Sequence, residues 1–210
     1  MDTKKYHHGD LKNTLIQAGI EILAEEGVGG LSLRKVAQKA GVSHNAPYFH
    51  FTDKQALIAA ISTEGYRSLY EQLVLIQETF REDPRRQLVE AAFMYLRFAQ
   101  SQPAHFKVTF SNAVEREDAY PALVEMADNL IAELIKIVGA CQKAGILHPA
   151  PVGALAVSIW SAVHGFTSLF IDGQSMHERL KVAPVDQLLI FTLNQFTVAD
   201  WSAEHFPLPE

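Results

Sequence analysis

Residues 33–54 read LRKVAQKAGVSHNAPYFHFTDK, and the fold turns on how this stretch is read. Val36, Ala37 and Ala40 give one helical turn a small apolar face. Gly41 is the residue type that accepts the positive φ on which helices commonly end. Val42 follows as an apolar contact at the bend, and Ser43 can cap a second, short helix carrying His44, Asn45, Tyr48, Phe49 and His50. Two short helices joined by a tight Gly-containing turn make a helix-turn-helix, whose second helix fits the major groove of DNA.

Working outward, Leu11, Leu15, Ala18 and Ile22 recur at helical spacing before this stretch, with Asp10 as a candidate cap and Gly27, Gly29 and Gly30 as the stop. Ser32 caps the next helix. Arg34 and Lys35 lie near that helix's N-terminus, where a basic side chain beside free backbone N–H groups suits a phosphate; two solvated charges are the plainer reading. The preceding Lys4, Lys5, Tyr6, His7 and His8 form a basic, aromatic arm that can lie on phosphates or in a minor groove, or have no fixed structure. Neighbouring histidines alone, without Cys or a spaced carboxylate pair, do not make a metal site.

Beyond the stretch the pattern stays helical. A long helix is predicted over 53–80, another over 84–101 behind Asp83-Pro84, and a short one after Gln102-Pro103. Further helices are predicted from Asp118 and Pro121 to about Gly145, from Pro151 to about Asp172, and from Pro184 over 184–198. No strand-like alternation, internal repeat or low-complexity run breaks this pattern. The fold class is all-α: a helix-turn-helix domain at 1–55 and a helical body at 56–210, the candidate ligand-binding and dimerisation domain.

Charge distribution sharpens the functional reading. The chain carries −6 overall, yet residues 1–55 hold seven Lys/Arg against six Asp/Glu and four of the nine histidines. An acidic body with a locally cationic head suits a DNA binder that must avoid indiscriminate sticking. The single cysteine, Cys141, fits a reducing compartment and, in an apolar helical run, a buried small hydrophobe. No run of about 18 uninterrupted apolar residues marks a plain membrane span, and no secretion signal follows Lys4 and Lys5. The expected location is cytoplasmic. GxSxG, P-loop, GxGxxG and HExxH patterns are absent, so the chain does not read as an enzyme, and neither a cofactor nor a metal is expected.

The segments EILAEEG (21–27), LSLRKVAQKAGVS (31–43) and APYFHFTDKQAL (46–57) together resemble the DNA-binding domain of TetR-family transcriptional regulators. The likeness covers about residues 9–60. YHHGDL (6–11) and WSAVHGF (160–166) further resemble a TetR subgroup whose C-terminal domain carries a Trp…His-Gly motif. The resemblance implies that Ser43, His44 and Asn45 approach base edges and that Tyr48, His50 and Lys54 grip phosphates. Lys5, Ser32, Arg34 and Phe49 complete the candidate DNA-binding set. The side-chain chemistry agrees, since Asn pairs with adenine and Tyr and His reach backbone oxygens. Phe51 is expected in the core, whereas Phe49 could be core or a thymine-methyl contact. Pro47 departs from the Leu or Ile common in the family, and leaves open which residue meets which base.

In the body, Phe93, Tyr95, Phe98, Phe106, Phe110, Trp160 and His164 are candidate ligand-pocket residues. Aromatic stripes at helical spacing are most often plain core, but a polar residue among them raises the case for an apolar cavity. The resemblance implies a homodimer through the last two long helices, with Leu155, Ile159, Phe166, Phe170, Leu188 and Phe196 at the interface. A single short recognition helix makes few base contacts, and a two-fold pair reading a palindrome of double-stranded DNA makes twice as many. The expected function is a repressor released from its operator by a small hydrophobic effector. An activator or ligand-independent DNA binder is the alternative, and an all-helical enzyme or carrier a remote one.

Overall fold

The computed structural model describes residues 8–173 and 183–199, with side chains from Leu11 onward. Among these residues eight α-helices form: α1 (His8–Gly30), α2 (Leu33–Lys39), α3 (Lys54–Thr79), α4 (Pro84–Ser101), α5 (Pro103–Thr109), α6 (Pro121–Lys143), α7 (Val152–Ile171) and α8 (Val185–Asn194). Two 3-10 turns, Ala46–Phe49 and Glu117–Ala119, interrupt the series. The described residues form no strand, only an isolated antiparallel bridge between Leu147 and Thr197. The all-α reading holds.

Prolines set many of the starts. Pro84, Pro103 and Pro121 each open a helix, where a missing N–H costs nothing and the fixed φ is already helical. Asp83 caps α4 by accepting from the Arg86 N–H at 2.9 Å, and Asp53 does the same for α3 through Ala56 N–H at 2.8 Å. Helix α1 starts at His8, two residues ahead of the expected cap at Asp10, and it is broken at Gly27, whose φ of 69° and ψ of −174° are not helical.

Two compact units result, and each takes its residues from two separate parts of the chain. The first comprises Met1–Arg67 with Gln102–Ala127; the second comprises Ser68–Ser101 with Asp128–Glu210. In the first unit one apolar cluster joins Leu15, Ile22, Val36, Phe51, Leu57, Ile61, Val108 and Leu123. α1, α2 and the N-terminal part of α3 surround it, and α5 packs on α1.

A polar seam links α3 to α5 in this unit. The His105 ring Nε2 bonds the Ile61 carbonyl at 2.8 Å, and Thr109 donates to the His105 carbonyl at 2.9 Å. Gly65 sits where the two helices cross: a Cβ there would overlap Thr109 Oγ1. Burial holds the His105 imidazole below its ordinary range, against the opposing hydrogen bond to Ile61.

The second unit is centred on α4, which is buried almost all round, from Leu88 to Ala99. α7 and α8 pack against α4 and against each other. Gln87 Nε2 donates to the carbonyls of Gln77 and Phe80, at 3.3 and 3.0 Å, and so satisfies acceptors at the end of α3. The loop after α6 is clasped to the end of α8 by His148 N–H to Phe196 O and Val198 N–H to Ile146 O, both 3.0 Å. Cys141 is fully buried and donates to Pro84 O; burial pushes its thiol up to about 12, so it packs as a small hydrophobe. Helix α7 is long and apolar enough to cross a membrane by length and composition alone.

Candidate nucleic-acid interface

The interface is built from the end of α2 outward. Ser32 accepts from the Lys35 N–H at 3.2 Å, the cap expected from the sequence. At the other end Gly41 has φ of 69°. Val42 N–H reaches Ala37 O at 3.0 Å and Gly41 N–H reaches Gln38 O at 3.2 Å, the paired closure that a left-handed glycine permits.

The reading element differs from expectation. In place of an α-helix capped by Ser43, the chain forms the 3-10 turn Ala46–Phe49, with Asn45 at its N-cap and no side-chain cap bond. Pro47 explains the change. In an α-helix beginning at Ser43, residue 47 would donate to the Ser43 carbonyl, and proline has no N–H to give. Ala46 N–H takes that carbonyl instead, at 3.0 Å, and Tyr48 N–H takes Asn45 O at 3.2 Å, both at the tighter spacing.

Ala46 and Pro47 are buried and anchor the turn. Ser43, His44, Asn45, Tyr48 and Phe49 are all exposed, Tyr48 by 60% and Phe49 by 82%. Phe49 is therefore not a core residue, whereas Phe51 is, at 2%. An aromatic ring exposed to that degree next to a tyrosine on a rigid turn offers itself to a partner surface.

The remaining candidates separate from this group. Arg34 is exposed on α2. Lys35 is ion-paired with Glu26, and Lys39 bridges Glu25 at 2.8 Å and Glu21 at 3.2 Å, which raises its pKa chiefly through the Glu25 hydrogen bond. The acidic face of α1 thus engages two of the head's lysines. Lys54, the candidate for phosphate, donates from Nζ to Val28 O at 2.7 Å. That carbonyl lies just past the Gly27 break, where the helical ladder is interrupted. The glycine run hints at such a break, but only the fold brings Lys54 to it. His50 is half-buried and its Nε2 is enclosed without a hydrogen-bond partner. Lys5 lies outside the described residues.

The candidate pocket residues divide between the units. Tyr95 and His164 meet in the second, with the Tyr95 hydroxyl 2.7 Å from His164 Nδ1. Trp160 Nε1 donates to that hydroxyl at 3.4 Å, and Phe93 and Phe98 are buried on the same α4. Phe106 and Phe110 belong to the first unit, their ring centroids 5.1 Å apart. Burial holds the His164 imidazole below its ordinary range. The expected interface set also needs correction: Leu155 and Ile159 are buried inside the protomer, because their stripe of α7 is the one packed inward. Phe166, Phe170, Leu188 and Phe196 are half-buried. The large apolar residues that α7 and α8 leave exposed are Val152, Val157, Trp160, Leu169 and Phe191.

A capped helix, a glycine bend and an exposed turn held on a three-helix core define a helix-turn-helix protein. Residues 15–61 match the model for bacterial regulatory proteins of the tetR family. Residues 88–196 match the tetracyclin repressor-like C-terminal domain. The chain belongs to the TetR family of transcriptional regulators, and that family is not one of enzymes.

The class A tetracycline repressor from transposon 1721 of Escherichia coli is 46% identical over 50 residues, 24% of this chain and 23% of the repressor. The match therefore spans about a quarter of that relative's length. A Rhodococcus sp. RHA1 protein of unknown function is 30% identical with a TM-score of 0.77, over 92% of this chain and 97% of the other. A fatty acid degradation regulator from Bacillus halodurans shares the fold, with a TM-score of 0.67 at 17% identity over 89% and 96% of the two chains.

Proposed function

We propose that this chain is a cytoplasmic transcriptional repressor that binds a palindromic operator in double-stranded DNA as a homodimer and leaves it when a small hydrophobic effector binds. The observation that carries the DNA-binding half is the exposed turn. Ser43, His44, Asn45, Tyr48 and Phe49 project together while Ala46 and Pro47 hold the backbone from below. Ser43, His44 and Asn45 supply donors and acceptors for base edges, and Tyr48 reaches phosphate. Arg34, behind the Ser32 cap, adds a sequence-independent charge. Residues 1–55 carry the reading function in this scheme, and 56–210 carry effector binding and dimerisation.

The effector half is supported by the Tyr95, His164 and Trp160 cluster. Three polar atoms joined by hydrogen bonds lie beside buried aromatics, the mixture of apolar wall and few polar groups that small-molecule sites use. The 46% identity to the class A tetracycline repressor over 50 residues supports repression over activation. An effector releases DNA only as far as it prefers the state that binds DNA poorly.

The test is duplex binding by Tyr48→Ala and Phe49→Ala, measured on sites selected from random DNA. Removing one DNA-facing side chain from each half-site costs about 1–3 kcal/mol per half-site, so affinity is expected to fall at least tenfold in each variant. Wild-type affinity in both variants would overturn the assignment of the turn.

A further inference from the structure

The first unit contains a cleft of about 580 Å³ that the reading turn does not use. It is bounded by α1, the residues just after the 3-10 turn, α3 and the start of α6. Its volume falls in the range of small-molecule sites, about 300–1,000 Å³. Ala56, Ala59 and Ala60 line it from α3. Their spacing puts all three on one helix face, and methyl-sized side chains in a row leave room that larger ones would close. Phe51 and Leu123, both buried in the unit's core, supply further apolar wall.

Among the charged residues of the cleft the cations outnumber the carboxylates, beside the neutral Asn13, Thr63 and Tyr120. Lys12 and Arg67 are both exposed at its edge. One carboxylate, Glu64, faces them and is taken up by Arg67 Nε at 3.4 Å, leaving other guanidinium donors free to bind a ligand. His50 also lines the cleft, and its buried Nε2 has no partner in the protein. Buried side-chain nitrogens rarely lack a partner. An alanine floor with two cations and an unpartnered imidazole nitrogen matches neither a polyanion nor a cationic drug.

We propose that this cleft is an effector site for a small amphipathic carboxylate, distinct from the Tyr95–His164 cluster. The apolar tail lies on Ala56, Ala59 and Ala60, and the carboxylate is taken by Lys12 and Arg67. His50, which follows the 3-10 turn by one residue, offers Nε2 as a further donor. Occupancy would be felt in the unit that holds the reading turn, without passing through the second unit. Carboxylate binding stands by itself, whereas an effect on DNA affinity rests on the function proposed above.

The experiment titrates octanoate into the full chain, followed by calorimetry and by methyl NMR of the alanines. Saturable binding at one site per protomer is expected, with shifts at Ala56, Ala59 and Ala60. Each of Lys12→Gln and Arg67→Gln should weaken it about tenfold, the effect of removing one charge-assisted hydrogen bond. Octanol should bind at least about tenfold more weakly than octanoate on the same ground, and Ala60→Phe should abolish binding by filling the floor. Trp160→Ala should leave it unchanged. Should Ala60→Phe fail to fold, the two charge variants and the alanine shifts decide. Non-saturable binding, equal affinity for octanol, or alanine methyls that stay still while Trp160→Ala removes binding would each overturn the proposal. A protein that binds octanoate as described but no duplex would refute the DNA-binding function alone.

Discussion

Ser32 and Ser43 are the same side chain in the same motif and do different things. Ser32 holds the first turn of α2 through the Lys35 N–H; Ser43 is exposed, and the turn after it has no side-chain cap bond. Ser32→Ala is therefore expected to cost about 1 kcal/mol of stability. Ser43→Ala should leave the urea midpoint where it is and lower only the affinity for operator DNA. Equal midpoints for both variants would show that the Ser32 cap carries no stability.

One buried histidine, His105, and one half-buried, His164, set a pH dependence. In His105 and His164 burial lowers the pKa below the ordinary value of 6.5. The unfolded chain then binds protons that the folded chain refuses, so stability is complete above that value and falls as pH drops through it. The melting temperature should decline between pH 7.5 and 5.5, and His105→Gln should flatten that slope. A slope untouched by the substitution would remove His105 from the account.

Among the elements, α3 and α5 approach closely at Gly65. Gly65 faces Thr109 with no room for a Cβ, and Ser62 also reaches across to Val108 O at 3.4 Å. Overpacking of this kind costs about 1–3 kcal/mol, so Gly65→Ala should lower the chemical-denaturation midpoint. Gly65→Ala combined with Thr109→Ser should not restore it fully, because the clash is with the hydroxyl oxygen that serine keeps. Such a crossing cannot be read from the chain, since Gly65 falls in the interior of a long amphipathic pattern and Thr109 lies far along it.

The helices themselves are legible in the sequence, because Asp83-Pro84, Gln102-Pro103, Pro121 and Pro184 mark starts by local chemistry. The reading turn is legible in place and not in kind: Pro47 is visible, and its missing N–H, harmless at the first residue of a helix, removes the bond to Ser43 O that an α-helix capped by Ser43 needs. The hydrogen bond that Lys54 makes is not legible for a related reason. A lysine's charge is plain in the sequence, while the carbonyl it finds at Val28 is a product of the fold.

For the molecule as a whole, α7 and α8 carry more apolar surface than their own unit covers. Leu169 is 51% exposed and Phe191 64%. Exposed apolar surface of this sort is ordinarily covered by a partner, and a second copy of these helices would form the closed, two-fold contact that most oligomers use. Leu169→Glu with Phe191→Glu is expected to convert dimers to monomers in sedimentation and to weaken operator binding with them. A double variant that sediments as the parent would place the contact elsewhere.

The path of the chain also limits how such regulators can exchange parts. α5 returns to pack on α1 after the chain has left for the second unit, so the DNA-reading portion is not a contiguous cassette. A recombination that replaces only residues 15–61 separates the incoming α1 from the α5 that this chain packs against it. Substitutions on that face of α1 are then answerable to residues encoded far downstream, and new operator preferences are reached more easily by changing the exposed turn than by trading heads.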